Sequence, residues 1–302
     1  MGPGEAIDIV NGVFGRHAGF RALHAKGIVC RGSFTPDPAA ASLTRAAHMH
    51  GGTLPATVRF SNAAGDPTRP DWLPGPRGLA VKLYLPDGGR TDIVAVSSPR
   101  LPVRTPEDFI GLIKAQGPGP RPGFRLPLFL LRHPGVVFAL PSLMPTVMLR
   151  TSYAGITYFG IHAFSWVDGE DRATFVRYTL EPEVPAPRLS PKQAKRGGPD
   201  YLQNELRERL ATGPAVFTLT LTIAEPGDPT DDPSAVWPAG RRQVTAGRLV
   251  VDALDTERET GDDVLVFDPT RVIDGIELSD DPVLRFRGPA YTESVARRMR
   301  SG

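Results

Sequence analysis

Short runs of alternating apolar and polar residues recur along the chain and predict a protein built mainly from β-strands. Thr57–Ser61 and Gly78–Leu85 each have the length of one strand, and the turn-rich stretch from Gly65 to Arg77 predicts their connection. Thr91–Val96, Tyr158–Val167, Val216–Ile223 and Leu249–Leu254 extend the strand set. Helices are fewer. Thr105-Pro-Glu-Asp108 opens one, with a capping hydroxyl, a proline at the first position, acids in the first turn and Phe109, Leu112 and Ile113 on its apolar face. Tyr201–Leu210 is amphipathic, and Pro182–Asp200, rich in Pro and Lys, predicts a surface linker. Proline is tolerated only in the first turn of a helix, so Pro289 predicts a last helix starting there, with Gly288 at or beside its cap. Strands in runs with helices clustered late indicate an α+β fold with an antiparallel sheet. No repeat or composition break divides residues 1–302, which are expected to form one domain.

The most apolar window, Leu126–Met148, is interrupted by Arg132, His133, Pro134, Pro141 and Pro145. Charges and prolines in its middle argue against a stable membrane span. They predict a bent, partly buried helical segment or an apolar wall over a ligand channel, with contact to a membrane or a greasy substrate the less favoured reading. The 32 glycines and 32 prolines predict abundant turns. Basic and acidic residues nearly balance, 35 against 33, so nothing draws the chain to nucleic acid. The single cysteine, Cys30, excludes an intrachain disulfide and a multi-cysteine zinc site. With no signal-peptide pattern at Met1-Gly-Pro-Gly, a cytoplasmic location is the expectation.

Two regions carry candidate chemistry. Near the start, Arg21 and His24 precede a strand in which Arg59 and Ser61 share a face. A neutral imidazole beside a hydroxyl that fixes its tautomer is a proton shuttle, and two arginines nearby call for an anionic partner. Near the end, Tyr291 lies between Arg287 and Arg298, the latter seven residues on and so on the same helix face. A guanidinium beside a phenol favours the phenolate, a hard anionic ligand for ferric iron. A lone tyrosine here would more simply cover the edge of the core. His48 and His50 are spaced to share a strand face but have no carboxylate companion, so a surface pair is expected; His17 and His133 read as ordinary, and Cys30 as packed near the pocket.

Taken in order, Arg-x-x-His-Ala-Lys-Gly, Val-Arg-Phe-Ser, Pro-Arg-Gly-x-Ala-Val-Lys, Gly-Asp-x-x-Asp-Asp-Pro with Trp-Pro, Phe-Asp-Pro, Gly-Ile-Glu and Arg-(x)3-Tyr-(x)6-Arg resemble the haem catalases from about Phe14 to Arg298. Within that family the chain more nearly resembles the small catalase-related peroxidases. The resemblance implies an antiparallel eight-stranded β-barrel with surrounding helices, and haem b, since no Cys-x-x-Cys-His attachment motif occurs. It implies that His24 moves the peroxide proton and Ser61 holds the other imidazole nitrogen. Arg21, Arg59 and Arg298 would pair with the haem propionates, Tyr291 would be the proximal iron ligand, and Arg287 would keep it ionised. His162 would pack against Arg287, Phe109 would line the pocket and Leu23 would cover its distal face.

The family's distal asparagine is replaced by Val96, which cannot hydrogen-bond a peroxide; a shift of one residue would offer Ser97. The expected activity is therefore that of a peroxidase acting on hydrogen peroxide or organic hydroperoxides through a ferryl intermediate, with a small organic electron donor and weak residual catalase activity. Two alternatives stay open: rearrangement of a fatty-acid hydroperoxide, as in catalase-like allene oxide synthases, and non-enzymatic haem binding. Those synthases carry a hydroxyl-bearing residue where this chain has Leu23. A homodimer is the expected assembly.

Overall fold

The computed structural model describes residues 1–117, 122–257 and 265–300. Ten strands form one antiparallel sheet among the described residues: β1 Gly27–Pro36, β2 Leu54–Asn62, β3 Arg77–Tyr84, β4 Arg90–Val96, β5 Tyr158–Phe159, β6 Phe164–Val167, β7 Ala173–Pro182, β8 Ala215–Ile223, β9 Gln243–Leu254 and β10 Ile276–Leu278. The order β7-β5-β4-β3-β2-β1-β9-β8 closes on itself through β7–β8 pairing, giving an eight-stranded barrel, and β6 and β10 extend the sheet beside β7. Closure leaves the barrel strands without free edges and divides their side chains into an inner and an outer set.

The inner set is the core. Phe60 stacks on Tyr153 with ring centroids 5.7 Å apart and meets Phe217 at 6.1 Å, among fully buried Ile28, Val58, Leu79 and Leu83. Buried hydroxyls are satisfied, as that environment requires: Tyr153 donates to Asn62 Oδ1 at 2.7 Å and Tyr158 to the Tyr153 carbonyl at 2.9 Å. Cys30 belongs to this interior, because in β1 it faces away from Val29; it does not pack near the outer site as expected from sequence.

Eight α-helices are described: α1 Pro3–Phe14, α2 Pro38–Ala41, α3 Pro106–Gln116, α4 Pro122–Arg132, α5 Pro134–Val147, α6 Pro191–Arg196, α7 Tyr201–Thr212 and α8 Pro282–Met299. The Thr105 cap is present, its hydroxyl accepting from Asp108 N at 3.2 Å. Three expectations need correction. The last helix starts at Pro282, not at Pro289, because Asp281 caps it and Pro282 takes the first position; Pro289 lies inside, where it withholds one hydrogen bond. The run Tyr158–Val167 is two strands, since the register against β7 shifts by two residues between Phe159 and Phe164, leaving His162 in the interruption. His48 lies within a short 3-10 turn, Ala47–Met49, that His50 caps, and His48 is buried against Trp166 instead of forming a surface pair.

Burial drives the His48 imidazole down to about 4, with His50 adding a smaller repulsion. Its folded-state value lies below the unfolded one, so the unfolded chain takes up the proton first and stability is lost as pH falls from about 6.5 toward 4. The loss reaches about 3 kcal/mol at the acid end. His48→Asn is expected to flatten that part of the pH dependence of the urea midpoint; an unchanged slope would refute it.

A buried charge cluster braces the wall that leads to the site. Asp92 of β4 accepts from Lys82 of β3 at 2.5 Å, from Arg271 at 2.8 Å and from Asp268 N at 2.8 Å. It thereby fixes the segment carrying Phe267, which packs with Val29 and Leu265. Asp92→Ala strands the Lys82 ammonium in the interior and is expected to cost about 3–5 kcal/mol in urea unfolding.

Candidate functional site

The outer face of β1–β4 forms one wall of an open cavity with about 150 Å³ of room for water-sized molecules, and α8 forms the other. Antiparallel partners share a face, so Gly27, Ser61, Gly78 and Val96 make one row and Val29, Arg59, Ala80 and Val94 the next. Small side chains at Gly27, Gly78 and Ala80 keep this wall low. A Cβ on Gly78 would sit 2.7 Å from Ser61 Oγ and 2.8 Å from His24 Nδ1, so any other residue displaces the imidazole. A Cβ on Gly27 would collide with the Arg59 guanidinium.

His24 stands just before β1 in left-handed backbone, φ 54°, a conformation that costs a non-glycine residue energy and is found where surroundings impose it. The imposing contacts are His24 N to the Ala63 carbonyl at 3.2 Å and Ala25 N to the Ala64 carbonyl at 3.1 Å. Two residues on, the Lys26 ammonium is held by Asp71 at 2.9 Å, Asp200 at 2.7 Å and the Pro199 carbonyl at 2.7 Å, an anchor that the sequence motif contains but does not explain. The imidazole Nδ1 lies 2.9 Å from Ser61 Oγ. Burial, reinforced by the positive charges of Arg59, Arg287 and Arg21, pushes His24 down to about 3. It is therefore a neutral base at physiological pH.

On the facing wall, Arg287 and Tyr291 are one helical turn apart inside α8, so Arg287 Nε donates to the Tyr291 phenol oxygen at 3.0 Å and Nη2 donates to it as well. Arg287 Nη1 also lies 3.0 Å from His162 Nε2, and His162 Nδ1 lies 2.6 Å from Asp281 Oδ2. Burial keeps His162 below its ordinary value despite the opposing pull of Asp281. A neutral His162 thus donates from Nδ1 to Asp281 and accepts at Nε2 from Arg287. The other Asp281 oxygen caps α8, accepting from Val283 N at 2.8 Å and Leu284 N at 3.2 Å. One carboxylate therefore fixes both the helix and the side chain that holds the phenol. Sequence reasoning did not single out Asp281; the signal for it was its place before Pro282, a cap followed by a first-position proline.

Arg21, Arg59 and Arg298 all line the cavity. Burial, then Arg59 and Arg298, depresses the basicity of Arg21, and burial does the same to Arg298. Arg298 Nε is buried with no hydrogen-bond partner. Arg21 spends one amino group on the Leu265 carbonyl at 2.5 Å and Arg59 spends one on the Ala25 carbonyl at 3.1 Å. Mutual repulsion among three desolvated cations marks the place of a ligand with more than one negative charge.

The remaining predicted residues take different places. Leu23 lines the cavity beside His24, whereas Phe109 packs, like Leu23, against the satellite core of Ala6, Val10, Ile110 and Ile113 and does not itself line it. His162 stands behind Arg287, away from the lining. Ile7 of α1, a helix the sequence patterning missed, does line it. Val96 falls in the row of Ser61 and Gly78, while Ser97, just past the end of β4, accepts from Arg77 N at 2.9 Å, and neither is among the residues that line the cavity.

The chain belongs to the catalase family: residues 17–302 match the family described as Catalase. Among its relatives, a "Catalase-related peroxidase" of Mycolicibacterium paratuberculosis is 47% identical over 300 residues, covering 99% of this chain and 95% of that protein. A "Catalase-related peroxidase" of Synechococcus elongatus is 30% identical over 302 residues, covering 99% and 89%. In fold, the structure of catalase A from Saccharomyces cerevisiae superposes with a TM-score of 0.83 at 22% identity, across 94% of this chain and 62% of that one. The chain is thus an oxidoreductase of the catalase and peroxidase class.

Proposed function

We propose that the protein is a haem-dependent peroxidase that reduces hydrogen peroxide or organic hydroperoxides with a small organic donor, retaining weak catalase activity. The observation that carries this reading is the His24–Ser61 pair facing the Arg287–Tyr291 pair across one cavity rimmed by three arginines. The residues present fit haem b. The glycines let His24 and Arg59 lie close against the wall facing α8, the orphaned Arg298 Nε and its neighbours suit two propionates, and the phenol oxygen suits ferric iron. Bound there, haem would supply the iron that binds peroxide and takes up its oxidising equivalents.

The chain's own residues do the rest. Tyr291 would hold the iron from α8, with Arg287 donating to its oxygen and His162 and Asp281 fixing Arg287. Arg21, Arg59 and Arg298, which line the cavity, would bind and orient the propionates. His24, kept neutral, would take a proton from a bound peroxide at the nitrogen that Ser61 leaves free and give it back as the O–O bond breaks, a base and then an acid. Ser61 holds the opposite nitrogen, so the ring does not turn away as it changes charge. Leu23 would shield the distal side, and Phe109 packs against the same satellite core as Leu23.

Val96 offers the peroxide no hydrogen bond, which weighs the balance toward donor oxidation. Val96→Asn is expected to raise oxygen evolution from hydrogen peroxide by up to about 100-fold, the scale of one well-aimed polar group. Measured alongside, donor oxidation by the unaltered protein should exceed its oxygen evolution. Fast oxygen evolution without donor consumption in the unaltered protein would sink the peroxidase reading.

A further inference from the structure

Helices α4 and α5 leave an apolar surface that the rest of the described fold does not cover. They meet at 105° across His133, and α5 contains no charged residue. Their inner side is accounted for: Val136 and Ala139 are buried, and Phe129 lies against Gly111 of α3. The outer side is just as apolar, with Phe124 75%, Leu131 79% and Phe138 83% exposed. Leu128 joins Phe124 and Leu131 at spacings of four and three, and exposed Val137, Leu140 and Met144 repeat the pattern along α5. Each helix thus shows a continuous outer stripe where a surface helix is ordinarily polar.

The charges that this segment itself carries have one sign. Between Asp108 and Asp168 the sequence contains no carboxylate, but it contains Lys114, Arg121, Arg125, Arg132 and Arg150. Lys114 and Arg132 are exposed. The Asp108 carboxylate that reaches α4 is engaged by His133 Nε2 at 3.0 Å. No single described helix is long and apolar enough to cross a membrane, and two short helices meeting at a corner can lie flat together in an interface.

We propose that the α4–α5 corner docks peripherally on anionic lipid bilayers, its outer stripe entering the headgroup boundary and its cations meeting the lipid charge. A second copy of the chain is the poorer occupant, since a two-fold contact would set this cationic segment against itself with no carboxylate from the segment to answer it. The proposal does not rest on the haem reading.

The test is flotation of the full chain with two kinds of vesicle, phosphatidylcholine alone and phosphatidylcholine mixed with phosphatidylglycerol. Binding is expected at least about tenfold tighter to the anionic vesicles and weakened by salt, as two surface cations require. Leu131→Gln with Phe138→Gln should abolish flotation while donor oxidation and circular dichroism stay unchanged. Arg132→Gln alone, which touches no packed surface, should weaken binding about fivefold. Absence of flotation with the anionic vesicles, or equal binding to both kinds, would overturn the proposal. So would a dimer in solution that the double variant converts to a monomer.

Discussion

His24→Ala is expected to keep bound haem yet lose peroxide turnover by about 10²–10⁴-fold, the range one positioned acid–base group supplies. Haem should stay because its anchors lie elsewhere, at Tyr291 and the three arginines, and because truncating His24 opens space without adding charge. The variant also tests the electrostatics. With the imidazole near 3 in the folded chain, the base is not titrated between pH 5 and 8, so turnover should show no acid limb from His24 in that range. The same depression makes His24 a source of acid instability. The unfolded state binds the proton that the folded state refuses, so stability rises with pH from about 3 to about 6.5. His24→Ala should therefore lose activity and gain acid tolerance together, measured by turnover and by urea midpoint across pH. Unchanged turnover would refute the shuttle.

Tyr291→Phe is expected to have the other large effect, in the opposite order: haem retention falls first, and activity follows it. Phenylalanine keeps the packing on α8 but removes the oxygen on which Arg287 converges. It leaves the Arg287 guanidinium half-buried with one donor pair unanswered, a penalty of about 1–3 kcal/mol on top of the lost ligand. The measurement is haem content after gel filtration, beside circular dichroism to show the chain still folded. Full haem retention by that variant would remove Tyr291 from the iron.

How much of this was legible beforehand depended on how local each signal was. Strands β2, β3, β4, β8 and the helix cap at Thr105 were readable because alternation and capping are set within a few residues. The closing of the barrel was not readable from patterning, since it rests on pairing between β7 and β8 and between β1 and β9; it came from resemblance. Helix α1 was missed because Gly2 offers it no capping side chain, and its buried face is only Ala6, Ile7 and Val10. Pro289 misplaced the start of α8 because a proline rule was applied without weighing the stronger cap at Asp281-Pro282. That error had a cost at the site: with Arg287 placed before the helix, its simple one-turn relation to Tyr291 was hidden. His48 was misjudged because a His-x-His spacing says nothing of burial, which Trp166 and the barrel rim decide.

The site followed the same rule. Arg59 and Ser61 share a face by strand geometry, and that held in the register with Gly78. The support beneath them did not show, because Lys26 with Asp71 and Asp200, and His162 with Asp281, join residues 45 to 174 positions apart, which no local pattern can pair.

The central claim is that one cavity holds haem between a neutral His24 and a phenol held by Arg287. Its most direct test is the absorption spectrum of the haem-loaded protein, before and after hydrogen peroxide and then after an organic donor. The account predicts a high-spin ferric spectrum with phenolate character that changes on peroxide and returns as the donor is consumed. A low-spin spectrum typical of two nitrogen ligands, or one that peroxide leaves unchanged, would contradict it.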